Sequence, residues 1–108
     1  MGGGARSSSE VVNDFAVVLA PAAENDIAEA FLWYRERNVL ASDAFRAEVF
    51  ETMDRLAAAP LSRPADEEGN RHRVLKRFPY SVFYEVLGST VTVVAVAHHR
   101  RRPGYWQK

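Results

Sequence analysis

The apolar residues of this chain change their repeat once, and that change limits the folds open to it. Between residues 27 and 56 they recur at helical spacing. Ile27, Ala30, Phe31 and Tyr34 share one helix face, and Phe45, Val49, Met53 and Leu56 share another. From residue 72 onward the period is two. "YSVFYEVL" and "TVTVVAVA" (90–97) alternate on either side of Gly88-Ser89, a two-residue turn with glycine first, as a type II′ hairpin requires. Tyr80, Val82, Tyr84 and Val86 fall on one strand face, which reads as a packed face rather than a binding platform. A further alternating run, "HRVLKRF", opposes Val74, Lys76 and Phe78 to Arg73, Leu75 and Arg77.

The helical half has its own punctuation. "FAVVLA" (15–20) reads as a strand, and Pro21 then stands where the first turn of a helix accepts proline. Glu24, Asp26 and Glu29 lie toward the start of that helix and Arg35 and Arg37 toward its end, which suits its dipole. Asn38 can end it in a left-handed conformation, and Ser42, followed by Asp43, is an N-cap for the next. Pro60 and Pro64 close the second helix, and "PLSRPADEEGN" (60–70) is a polar loop. The expected fold is α+β with order β-α-α-β-β-β: an antiparallel helical hairpin on one face of a small antiparallel sheet.

Residues 1–10, "MGGGARSSSE", hold too little apolar surface to pack and are expected to be disordered, leaving 11–108 as one domain. They contain no apolar core of a signal peptide, and "FAVVLAPAA" is too short to cross a bilayer, so the expected location is the cytoplasm. The absence of cysteine excludes disulfides and thiolate chemistry. There is no glycine-rich phosphate loop between a strand and a helix, no H-E-x-x-H and no G-x-S-x-G. His98 and His99 are adjacent, so in an extended segment they point to opposite sides. With only His72 and scattered acids to join them, no metal site and no cofactor are expected.

Formal net charge is zero, yet the charges are segregated. Residues 1–70 carry 6 Arg against 13 Asp and Glu, while residues 71–108 carry 8 Arg and Lys against Glu85 alone. Such a split suits a polyanionic or acidic partner for the basic third, or mutual neutralisation across the fold. Arg73, Lys76 and Arg77 precede the hairpin, and Arg100, Arg101 and Arg102 follow it. With Tyr105 and Trp106 they make a cationic, ring-bearing set of the kind that contacts nucleic acid or an acidic protein segment.

The element order, "LAPAAENDIAEAFLWY" and "RVLKRFPYSVFYEVLGSTVTVVAVAHHRRRPGYW" together resemble the RelE/ParE superfamily of type II toxin–antitoxin toxins, the plasmid-stabilisation type, over residues 15–106. The resemblance implies one of two activities. ParE-type toxins bind DNA gyrase, arrest growth and need no catalytic residues of their own. RelE-type toxins cut mRNA on the ribosome. Set against the RelE-type pattern, the expected arginine falls on Ser81. The lysine positions fall near His72 and Val74, with Arg73 and Lys76 displaced. The C-terminal arginine matches Arg100, and the tyrosine position falls on Trp106 beside Tyr105. A ribonuclease would therefore draw on Arg100, Trp106, Tyr105, Arg73, Lys76 and His99. The thin match favours the ParE-like branch, whose target would meet Arg100, Arg101, Arg102, Tyr105, Trp106, Arg73 and Arg77. The resemblance also implies a cognate antitoxin, a small DNA-binding protein whose C-terminal segment folds on the toxin. The groove between helical hairpin and sheet would receive it, with Leu32 and Trp33, both off the core stripe, as anchors. An inactive, antitoxin-binding paralogue is the third reading.

Deleting Met1–Ser9 is expected to leave the melting temperature unchanged in a thermal melt followed by circular dichroism. A loss of several degrees would show that the segment packs.

Overall fold

The computed structural model describes residues 15–100. In chain order it has β1 (Ala16–Leu19), α1 (Pro21–Arg37), α2 (Val39–Ala58), a short 3-10 turn (Pro60–Ser62), β2 (Arg71–Val74), β3 (Tyr80–Leu87) and β4 (Thr90–His98). The strands form one sheet in the order β1-β4-β3-β2. β3 runs antiparallel to both of its neighbours, β2 and β4, as the hairpin pattern requires. β1 instead runs parallel to β4, with Ala16 opposite Thr90 and Leu19 opposite Val93, so the sheet is mixed rather than wholly antiparallel. Alternation reports which face a side chain takes and carries no information on strand direction. The helical hairpin is the crossover that carries the chain from β1 back across the sheet.

Asn38 joins the two helices alone, and it does so differently from the sequence expectation. Its backbone is extended, at φ −163° and ψ 111°, and not left-handed. Its N–H closes α1 by donating to Tyr34 O at 2.7 Å. Its side-chain oxygen caps α2 by accepting from Leu40 N at 2.9 Å and Ala41 N at 3.2 Å. Asn38, rather than Ser42, is therefore the N-cap, because an Asx side chain one residue before Val39 reaches those amides first. Ser42 sits inside the helix, buried, with its hydroxyl donating to Val39 O at 2.7 Å.

The core lies between the helices and one face of the sheet. Ala23 and Ala30 from α1, Phe45, Val49 and Leu56 from α2, and Val82, Tyr84, Val91, Val93 and Val96 from β3 and β4 are all buried there. An aromatic cluster fastens one end: Tyr34 to Phe78 at 5.1 Å, Phe45 to Phe78 at 5.4 Å and Phe45 to Tyr80 at 5.3 Å between ring centroids. Tyr80 and Tyr84 are thus core residues, and the Tyr84 hydroxyl donates to Pro60 O at 3.0 Å. Burial pushes the Tyr84 phenol up from its ordinary value, opposed by the nearby Arg73, Arg71 and Arg63 charges. Gly88 has φ +60° and no described non-glycine residue, Ser89 included, has positive φ, which fits the type II′ turn. Opposite the step from Phe83 to Tyr84 the pairing skips Val94, a bulge in β4 that lets Val93 and Val96 both face the core.

The alternation of "HRVLKRF" ends early. β2 stops at Val74, and residues 75–79 form a bend. Glu48 on α2 is the cause. It is 3% exposed, and its carboxylate accepts the backbone N–H groups of Lys76 and, at 3.2 Å, Arg77. With those two donors turned toward α2, they cannot continue a strand ladder. Arg77 adds its guanidinium at 3.7 Å to the same carboxylate. Glu48→Ala would leave two amides without an acceptor. It is expected to cost about 3 kcal/mol in urea denaturation and to broaden the Lys76 and Arg77 amide signals.

Candidate target and partner surfaces

The end of the sheet where β3 begins and β4 finishes collects most of the described cations singled out from sequence. The bend 75–79 presents Lys76 and Arg77, both exposed. Its Pro79 O accepts the His99 N–H at 2.8 Å, and Leu75 N donates to Tyr80 O at 2.9 Å. The segment leaving β4 is thereby tied to the bend, and Arg100, exposed, joins Lys76 and Arg77 at the same end. The start of this exit is shaped by imidazole. His98 Nδ1 accepts from Arg100 N at 3.1 Å. The His98 ring meets Tyr80 edge-on at 5.0 Å. His99 turns to the other side, its Nε2 at 3.2 Å from Ser81 Oγ. Ser81, at the position where an arginine was expected, is buried.

Arg73 is not part of this group. It pairs across from Val82 and so lies on the helix-side face, with Arg71 two residues before it. Its Nε is buried without a hydrogen-bond partner. Ser81 and Ala97 pair on the opposite face, next to His99. Of the described residues a ribonuclease would draw on, Arg73 is set apart on the helix-side face of the sheet, while Lys76, His99 and Arg100 lie at the one end. Arg101, Arg102, Tyr105 and Trp106 lie outside the described residues. Among the described residues no three His, Asp or Glu side chains form a metal-binding group. No helix among them is long and apolar enough to cross a membrane.

A groove of about 500 Å³ opens beside the cationic end, between α1 and the sheet. Asp26, Glu29 and Trp33 line it from α1, and Pro79, Tyr80 and His98 from the sheet side. Asp26 does structural duty there. β1 ends at Leu19, so among the described residues the β4 edge beyond Val93 has no strand neighbour, and the Asp26 carboxylate accepts the Val96 N–H at 3.0 Å. Trp33 is half exposed at the rim, with the Arg37 guanidinium 3.9 Å from its ring centroid. Leu32 is exposed to a similar degree. Sequence spacing placed both off the core stripe, and both are exposed. It did not find Asp26 and Glu48, because a carboxylate that holds a distant backbone amide leaves no local pattern. A second, mainly apolar groove of about 570 Å³ is lined by Ile27, Phe31, Phe50 and Met53 of the helices and Leu19 of β1.

Residues 17–103 match the model of the ParE toxin of the type II toxin–antitoxin system parDE. A solved structure described as a chromosomal ParDE toxin–antitoxin system from P. aeruginosa overlays with a TM-score of 0.70 at 17% identity, covering 80% of this chain and 97% of that one. At that identity the likeness concerns the fold. No curated protein sequence gives a significant match.

The placement of Arg73 is open to a direct check. Arg73→Met keeps the apolar stem and removes an unsatisfied buried donor. Stability in urea is expected to hold or rise, within about 1 kcal/mol.

Proposed function

The chain belongs to the ParE toxin family of type II toxin–antitoxin systems, and we propose on that premise that it arrests growth by binding DNA gyrase in the cytoplasm until a cognate antitoxin neutralises it. One observation favours this branch over mRNA cleavage. Arg73 lies on the helix side of the sheet, away from His99 on the other, and uncharged Ser81 stands where an arginine is expected, so of the described groups only Lys76, His99 and Arg100 share one end. Cleavage through a ribose 2′-hydroxyl needs a base, an acid and cations around one phosphate. A gyrase inhibitor needs only a complementary surface. Here that surface is the cationic end of the sheet, formed by Lys76, Arg77 and Arg100 and continued in sequence by Arg101, Arg102, Tyr105 and Trp106.

The antitoxin in this reading lays its C-terminal segment along the groove between α1 and the sheet. Apolar and ring contacts at Trp33 and Tyr80 give affinity. Leu32 extends the contact over α1.

Two measurements test the proposal. Induction of the chain alone, followed by pulse labelling, is expected to stop DNA synthesis before protein synthesis. Early loss of protein synthesis, with codon-specific cuts in ribosome-bound message, would move the chain to the ribonuclease branch. Absence of any arrest, with tight antitoxin binding, would make it an inactive paralogue. Trp33→Ala is expected to weaken antitoxin binding about thirtyfold, or 2 kcal/mol, by calorimetry.

A further inference from the structure

We infer that the cationic end of the sheet is a binding site for the phosphate backbone of duplex DNA, so that this chain touches nucleic acid itself. That end is held rigidly. Exposed lysines and arginines on a free loop give a diffuse attraction. Here the backbone beneath them is fixed at several points. The Lys76 and Arg77 N–H groups are held by the buried Glu48 carboxylate. Leu75 N is held by Tyr80 O, and His99 N by Pro79 O. Phe78 is clamped between Tyr34 and Phe45. Three cations from two segments are thus set on one frame, and less ordering remains to be done when they meet a ligand of fixed spacing.

The local charge balance points the same way. Glu48 is the acid built into this frame, and it is buried against backbone donors and Arg77, which still keeps 63% of its side chain exposed. Glu85, the only acid after residue 70, pairs with Thr92 toward the opposite end of the hairpin. Asp26 and Glu29 bound the surface on its α1 side, where they line the groove. The chain as a whole is neutral, so attraction to a polyanion has to come from this local separation and not from net charge. Exposed cations on a held backbone, with the nearest acid buried against its own donors, suit the dense phosphate charge of a duplex better than the scattered carboxylates of a protein surface. Contact with DNA at this surface goes beyond gyrase binding and needs neither antitoxin nor growth arrest. A chain that arrests growth but ignores DNA refutes this inference alone.

Fluorescence anisotropy with the full chain and a labelled duplex of about 20 base pairs, titrated between roughly 50 and 200 mM salt, reads the number of phosphates engaged. Binding is expected at the low-salt end, weakening steeply as salt rises. Lys76→Ala, Arg77→Ala and Arg100→Ala should each flatten the log–log salt slope by about one unit. Arg46→Ala, on the exposed side of α2, should leave it unchanged. If Arg77→Ala loosens the bend by removing the Glu48 ion pair, Lys76→Gln and Arg100→Gln carry the test. No binding at low salt, or a slope indifferent to these substitutions, overturns the inference. Tighter binding to poly-L-glutamate than to the duplex also overturns it, and makes the surface one for acidic protein.

Discussion

A single buried carboxylate organises the functional end of this molecule. Glu48 lies on the helical hairpin, yet its acceptors serve backbone amides twenty-eight and twenty-nine positions further along the chain. Burying a charge is costly unless donors surround it. Two N–H groups and the Arg77 guanidinium meet that need here. The consequence runs outward from there. β2 must end at Val74, the bend must present Lys76 and Arg77, and Pro79 O is left to receive His99 N as β4 exits. The cationic end of the sheet is therefore a product of helix–loop electrostatics rather than of strand pairing.

Asp26 plays a related part on the other side of the groove. β1 is only four residues long, and β4 is nine. The surplus of β4 would expose donors along an open edge, and the Asp26 carboxylate takes one of them at Val96. Both acids tie the helical hairpin to the sheet, and between them lies the groove rimmed by Trp33 and Tyr80. A partner entering that groove meets a frame whose walls are connected through charge-assisted hydrogen bonds, not through apolar packing alone.

The same geometry separates two kinds of arginine that look alike in sequence. Arg73 and Arg77 are four residues apart in one basic run. Arg73 sits on β2 facing the helix side, its Nε buried and unpartnered, and its charge acts on the Tyr84 phenol. Arg77 sits past the end of the strand, where the bend turns it outward with most of its side chain exposed. A basic cluster read along the chain thus divides between a core-edge position and a surface one, and only the second is placed with Arg100.

Sequence alone determined the elements and their faces. The change from helical to two-residue period separated hairpin from sheet, Gly88-Ser89 set the β3–β4 register, and the alternation of Tyr80, Val82 and Tyr84 assigned the buried face. The stripe in α1 left Leu32 and Trp33 outside the core. These properties are local, since they follow from backbone period and from what water excludes. Tertiary structure decided the rest. The direction of β1, the end of β2 at Val74, the bulge at Val94 and the division of Arg73 from Lys76 and Arg77 all depend on which distant group a backbone amide meets. Asn38 capping both helices in an extended conformation, where a left-handed stop was expected, is the short-range version of the same point. A hydrogen bond from Glu48 or Asp26 to an amide far along the chain has no period and no spacing, so it becomes visible only when packing brings the two ends together.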